Sequence, residues 1–364
     1  MAWIALKDKD GSVFAPAGLD RPRDGPDLID TGRDALMVRG SLVIETDMPV
    51  VHRPKPLLFL SRHQAWPFQM SLQALPQGGL ALILEQGDDM QYHALNPSDQ
   101  GRTDLVRLTY SWDAPARWGQ IALERGDNTR PILIDAPSPK PFSMNDLQAL
   151  IEGTGDSYYS PHLQFLALST SREPVGPMPA LGLATPIATP QGPRSLADLR
   201  RGDLVITPDG NTVPVLHRIT RTVPARGSFA PIRLNAPYFG LTRDIDLAPS
   251  QRLVMSGTEV EYLFGHETVM IPVAQVSGRH RAAPAPARQL VTYSQLLLPN
   301  HEPLLAAGTP VESLYIGRLR RQRRAFDASL LAGCNRQRLP DHRQPSCPVL
   351  KGFDARVLVE HRAA

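Results

Sequence analysis

With 364 residues, 42% of them hydrophobic and 21% charged, the chain can bury two or three cores and reads as globular rather than disordered. Its 36 prolines are excluded from helix interiors and central strands, which argues against a helical bundle and for many short elements joined by turns. A net charge of +3, supplied almost wholly by arginine, does not call for nucleic acid as a partner.

Residues 1–172 read as one β-domain. Strands are predicted at Ala35–Glu45, Pro56–Ser61, Phe68–Leu75, Leu80–Glu85, Leu105–Trp112, Trp118–Arg125 and Ile132–Ile134, short apolar runs separated by turn residues. Gln77-Gly78-Gly79 and Gln86-Gly87-Asp88-Asp89 punctuate Leu72–Gln91 as strand, tight turn, strand. Evenly spaced short strands predict a sandwich or jelly roll. The stretch Arg107–Asp113, followed by Arg117-Trp118-Gly119 and a second strand, resembles laminin-G and concanavalin-like sandwiches. A short helix is predicted at Met144–Leu150, opened by Ser143 and Asp146 as a capping-box variant.

Glu173–Pro179 is proline-rich and extended, a linker at residues 173–179. Beyond it, strands are predicted at Gly182–Gly192, Leu204–Thr207, Thr212–Ile219, Ile232–Leu234, Arg252–Ser256, Glu261–Phe264, Thr268–Val273, Leu290–Leu297 and Val311–Ile316. A short helical turn falls within Ser195–Asp203 and a chain turn at Pro208–Asn211. Residues 318–364 form an Arg-rich C-terminal extension: Arg318–Arg324 carries five arginines, and Val349–Val359 reads as a strand or a helix.

Within this second region, Leu199-Arg-Arg-Gly202-Asp203-Leu-Val205 follows Ile187–Gly192. Leu196 and Leu199 anchor the turn, Gly202 admits a positive backbone angle where the chain reverses, and Asp203 is placed to bond nearby backbone amides. Three blocks follow in order. They are Asp246–Val254, then Tyr262–Gly265 with Val269–Val273 as a hairpin, then Thr292–Glu302 with Ala306–Gly308 and Glu312–Leu314. On these motifs residues 180–317 resemble a Hint domain, the β-fold of Hedgehog autoprocessing segments and inteins. The expected fold class is all-β: an N-terminal jelly-roll-like β-sandwich followed by a Hint-type β-fold domain.

The resemblance implies a reaction. A Cys or Ser at the first residue attacks the preceding carbonyl in an N-to-S or N-to-O acyl shift. A histidine in a Thr/Ser-x-x-His block donates a proton to the departing amide nitrogen. Here the matched positions hold Ala180 for the nucleophile, Ala248 and Gln251 for the block, and Gln295 where a histidine follows the tyrosine by two residues. Alanine offers no lone pair, and glutamine exchanges no proton near neutral pH. His301 is retained, and Thr185, the nearest hydroxyl, sits too far along the strand pattern. The site is expected to be inactive and to hold no metal or cofactor.

Other candidates read as structural. His217, His266 and His280 have no partner pattern, Asp88 and Asp89 are turn residues rather than calcium ligands, and Trp112 and Trp118 belong to a sandwich core rather than a sugar-stacking platform. Arg318–Arg324 lacks interleaved aromatics and reads as a solvated linker. Cys334 and Cys347 show no CxxC or zinc spacing and read as free thiols. There is no P-loop, GxGxxG, HExxH or Gly-x-Ser-x-Gly motif. No signal peptide opens the chain and no apolar run suits a membrane span, so the expected location is cytoplasmic, with non-classical export or incorporation into a particle as alternatives. The leading reading is a non-catalytic structural or binding protein with a protein partner or a second copy of itself. The rivals are a self-cleaving protein cut near Pro179–Ala180 and a carbohydrate-binding module.

Overall fold

In the strand Phe68–Leu75 every second residue, Phe68, Met70, Leu72 and Ala74, is apolar and buried, the period of a pleated strand with one face on a core. Its neighbours repeat the pattern. Pairing yields an antiparallel five-stranded sheet in the order Asp156–Tyr159, Lys55–Arg62, Phe68–Leu75, Gly79–Gln86, Asp89–Leu95. A seven-stranded sheet faces it, in the order Ile132–Asp135, Trp118–Arg125, Leu105–Asp113, Arg39–Asp47, Leu163–Ser169, Trp3–Asp8, Ser12–Phe14. Side chains of both sheets share one core, making a jelly-roll-like β-sandwich.

This computed structural model describes residues 2–21, 29–30, 32, 35–63, 66–96, 105–125, 130–276 and 281–361. The chain separates into two units, Met1–Val175 and Gly176–Ala364.

Trp112 is a core residue of the first unit. Its indole N–H donates to the Met37 carbonyl at 3.0 Å, and its ring lies 4.6 Å from Phe142 and 5.7 Å from Tyr110. The predicted strands omit Trp3–Asp8 and Leu163–Ser169, which pair with each other. Both are buried on both faces along most of their length, so they show no alternation to read. The helix Met144–Glu152 forms and ends at Gly153 (φ 77°), whose N–H returns to the Ala149 carbonyl. The expected capping box does not form. Ser143 makes no side-chain cap, and Asp146 is drawn to the Arg62 guanidinium at 3.0 Å, because a buried carboxylate gains more from a cation than from a backbone amide. The proline-rich stretch also begins as part of this unit rather than as a free spacer. Buried Glu173 accepts from Ser169 Oγ at 2.7 Å, and its N–H donates to Ser41 Oγ at 2.8 Å.

The second unit holds two six-stranded antiparallel sheets and the ribbon Leu204–Ile206/Thr212–Pro214. One sheet runs His217–Pro224, Leu290–Leu297, Leu181–Gly182, Ile245–Leu247, Ile232–Leu234, Ala282–Pro284. The other runs Arg194–Ser195, Pro186–Ile187, Leu304–Ala306, Thr309–Val311, Arg252–Ser256, Thr268–Pro272. Both contribute to one core. Gly202 takes φ 91°, and Asp203 accepts from the Arg200 N–H at 2.8 Å and from Arg194 at 3.1 Å, as the turn motif requires.

Several expectations for this unit need correction. The single strands expected at Gly182–Gly192 and Thr212–Ile219 are each split between two sheets, as Leu181–Gly182 and Pro186–Ile187 and as Thr212–Pro214 and His217–Pro224. Glu261–Phe264 is the end of a helix, Thr258–Phe264, opened by Gly257 (φ 119°) and closed by Gly265 (φ 68°). Tyr262–Gly265 therefore forms no hairpin, and Thr268–Pro272 pairs with Arg252–Ser256 instead. A short apolar run between two glycines is ambiguous by periodicity alone. Arg318–Arg324 is not a solvated linker. It folds as the 3-10 turn Leu319–Arg321 leading into the helix Arg323–Asp327, pinned by buried Leu319 and Phe326 and by ion pairs from Arg320 and Arg321 to Asp341. The last helix, Gly352–His361, puts Ala355, Leu358 and Val359 into the second core. Among the described residues no helix is long and apolar enough to cross a membrane.

Candidate functional site

Strand register assembles the site. Leu181 pairs with Leu247 on one side and with Ser294 on the other, and all three are buried. One residue earlier, Ala180 therefore sits beside Ala248 and Gln295. The Ala248 N–H donates to the Ala180 carbonyl at 2.8 Å. The turn Ala248-Pro249-Ser250-Gln251 closes with the Gln251 N–H on the Ala248 carbonyl at 3.0 Å, which aims the Gln251 side chain inward.

The side chains then close a buried network. The Ala180 N–H donates to Gln295 Oε1 at 2.9 Å. Gln295 Nε2 donates to the Glu312 carbonyl at 2.6 Å and to Gln251 Oε1 at 3.1 Å. Gln251 Nε2 donates to the Glu312 carbonyl at 3.1 Å and to the Arg252 carbonyl at 3.0 Å. A backbone donor at one end and backbone acceptors at the other fix both amide orientations. Ala180, Gln251 and Gln295 are 6%, 2% and 3% exposed, so these groups have little recourse to water.

His301 stands on the far side of Glu312. Its Nδ1 accepts from the Ser346 N–H at 2.9 Å, which leaves the proton of the neutral ring on Nε2. Nε2 lies 3.3 Å from Glu312 Oε1, without the geometry of a hydrogen bond, and that same oxygen is paired to Arg252 at 2.8 Å. Tyr315 and His342 flank the ring at 4.8 and 5.7 Å. Burial pulls His342 down to about 4, further lowered by His301 and opposed by the Leu298 carbonyl and Asp341. Burial also pushes up the thiol of Cys347, which is 7% exposed.

The structure thus brings four candidates, Ala180, Ala248, Gln251 and Gln295, into one constellation. It places His301 one residue away, behind Glu312. Glu312 stands out in the sequence only as part of the closing block. Its role is carried by its backbone carbonyl, which residue type does not announce. The other candidates lie elsewhere. Thr185 closes the turn from Gly182 through its N–H at 3.0 Å. His217 Nδ1 is 3.9 Å from Cys334 Sγ, and His266 is exposed. His280 lies outside the described residues. Both cysteines are free thiols. Asp89 pairs with Lys140 at 3.5 Å, and Trp118 lies beneath the Arg172 guanidinium at 4.0 Å. Among the described residues no group of three or more His, Cys, Asp or Glu side chains is arranged to hold a metal ion.

The second unit is thus built of two sheets on one core, with the short strand Leu181–Gly182 paired on both sides. The family model described as "Hint domain" matches residues 179–318, and the chain carries a Hint domain there. Among solved structures, the bacterial intein-like domain from Clostridium thermocellum is similar at 14% identity, covering 38% of this chain and 99% of that one with a TM-score of 0.26. The MchDnaB-1 intein is similar at 18% identity, covering 37% and 100% with a TM-score of 0.25. The CBM40 of a Ruminococcus gnavus IT-sialidase, solved with alpha2,3 sialyllactose, is similar at 14% identity, covering 47% and 88% with a TM-score of 0.28. No curated protein sequence matches the chain.

Proposed function

We propose that this is a non-catalytic structural or binding protein in which the Hint domain is kept as a rigid module and its acyl-shift chemistry is lost. The observation that carries this reading is the chemistry of the group that faces the Ala180 nitrogen. To break the Pro179–Ala180 bond, the Ala180 nitrogen must receive a proton as it leaves. Here the group facing it is the Gln295 amide oxygen, which has no proton to give. The alanine methyl supplies no nucleophile for the preceding carbonyl. Gln251, at the block position, spends both Nε2 protons on backbone carbonyls. The rival reading, self-cleavage, needs a nucleophile and an acid that these residues do not supply.

Mass spectrometry of the purified chain after prolonged incubation with dithiothreitol or hydroxylamine tests the proposal. The expected result is the intact 40.0 kDa chain. Fragments ending at Pro179 and starting at Ala180 would overturn it. Ala180→Cys alone is expected to stay whole, because its amide nitrogen still faces an acceptor. Thiol-dependent cleavage is expected only once Gln251→His and Gln295→His are added.

A further inference from the structure

The outer face of the five-stranded sheet carries a trough that the Hint site does not explain. Strand register sets its cross-section. Tyr158 pairs with Phe59, Phe59 with Ser71, Ser71 with Ile83, and Ile83 with Tyr92, one row across all five strands. With strands spaced ~4.8 Å apart, the two tyrosines stand roughly 19 Å apart, one on each edge strand. The smallest side chain, Ser71, falls in the middle of the row. Large residues at the rims and a small one at the centre leave a cavity of about 560 Å³, within the range of small-ligand sites. Tyr92 and Tyr158 are 57% and 41% exposed.

The floor is polar. In the adjacent row Gln69 pairs with Glu85, and its Nε2 donates to Glu85 Oε1 at 3.4 Å. Gln73 Nε2 donates to Ser71 Oγ at 3.2 Å. Among the described residues, the Ser71 hydroxyl proton, the carbonyl oxygens of both amides and one N–H of each make no hydrogen bond. Donors and acceptors are thus interleaved at short spacing between two phenol rings. Among the described residues, Glu85 is the one charged residue lining the cavity.

The geometry points to this trough as a binding site for a neutral oligosaccharide. A pyranose presents C–H faces that stack on apolar and aromatic side chains and hydroxyls that each donate and accept, which matches rims of tyrosine above a floor where Phe59 and Ile83 lie among serine, glutamine and glutamate. An apolar peptide laid in the trough would leave those floor groups without water or partners, and each orphaned group is costly. The Glu85 carboxylate disfavours acidic sugars, since like charges in a confined site repel. Trp112 and Trp118 supply no sugar platform: Trp112 is fully buried and Trp118 lies beneath the Arg172 guanidinium.

Isothermal titration of the full chain with cellohexaose, mannohexaose, laminarihexaose and chitohexaose tests this, with oligogalacturonate and decaproline as the other two probes. Saturable binding of at least one neutral hexasaccharide is expected. Tyr92→Ala and Tyr158→Ala should each weaken it by about tenfold or more, as truncating an aromatic anchor does. Both rings are exposed, so tryptophan fluorescence should report an unchanged fold for these variants. Glu85→Gln should raise oligogalacturonate binding relative to the parent chain. Silence toward all four neutral sugars, binding that neither tyrosine variant weakens, or a preference of the parent chain for oligogalacturonate or decaproline would overturn the assignment.

Discussion

Replacing Gln295 by methionine tests whether the buried amide network holds the first strand of the Hint domain in place. Methionine has a similar length and volume, so the substitution opens little cavity. What it removes is polar. The Ala180 N–H loses its 2.9 Å acceptor and stays buried, at a cost of about 1–3 kcal/mol. Gln251 Oε1 loses its 3.1 Å donor, at about 1 kcal/mol more. The Glu312 carbonyl keeps its bond from Gln251, so it adds little. The sum is about 2–4 kcal/mol of lost stability for the second unit, equivalent to roughly 30- to 900-fold faster amide exchange where exchange follows global opening. Hydrogen-exchange mass spectrometry supplies its own control. Peptides from Leu290–Leu297 report the second unit and peptides from Leu163–Ser169 the first, which should be unchanged. All four tryptophans lie in the first unit, so tryptophan fluorescence in urea should also be unchanged. Acceleration of less than about fivefold in Leu290–Leu297 would refute the reasoning, because it would mean these bonds exchange freely for water.

Gly182→Ala should destabilise the same unit by about 1–3 kcal/mol in urea unfolding, since its Cβ would fall 2.7 Å from the Asp246 carbonyl oxygen, a backbone atom of the paired strand. His342, with a native pKa of about 4 against 6.5 for the free group, binds its proton less well when folded. Its contribution is therefore full above pH 6.5 and is lost as pH falls from 6.5 through about 4. The pH slope of stability in that window should be shallower in His342→Asn than in the parent chain, and equal slopes would contradict the assignment. Arg252→Ala should cost about 3 kcal/mol by leaving the Glu312 carboxylate buried without its cation, and adding Glu312→Gln should recover part of the loss. With a thiol reagent, Cys334 should react in the folded protein and Cys347 only on unfolding, because Cys347 is buried and Cys334 partly open; simultaneous reaction of both would count against the packing around Val254 and Met270.

Many of the strands are legible in the amino-acid sequence itself. Phe68–Leu75, Trp118–Arg125, Ile232–Leu234, Arg252–Ser256 and Leu290–Leu297 match the predicted bounds residue for residue, because each is a short apolar run bounded by turn or proline signals. The Leu-x-x-Gly-Asp-x-Val element points to the Hint fold, because its glycine and aspartate are dictated by a local turn. Local chemistry of this kind is written in residue types. The helix Thr258–Phe264 is not legible, since four apolar or aromatic positions between glycines suit either period. Nor are the strands Trp3–Asp8 and Leu163–Ser169, whose burial on both faces erases alternation.

Residue identity alone determined that Ala180, Ala248, Gln251 and Gln295 carry no thiol, hydroxyl or imidazole. Only the tertiary structure decided that they meet in one buried network. Register, set by pairing between strands more than sixty residues apart, brings Gln295 to the Ala180 N–H and the Glu312 carbonyl to both glutamines. In the first unit, hairpins between neighbouring strands align Phe59, Ser71, Ile83 and Tyr92, and a long-range pairing adds Tyr158 to complete the trough. The long-range pairings, Leu181 with Leu247 and Ser294 and Tyr158 with Phe59, are specified by the whole packed core rather than by either segment alone.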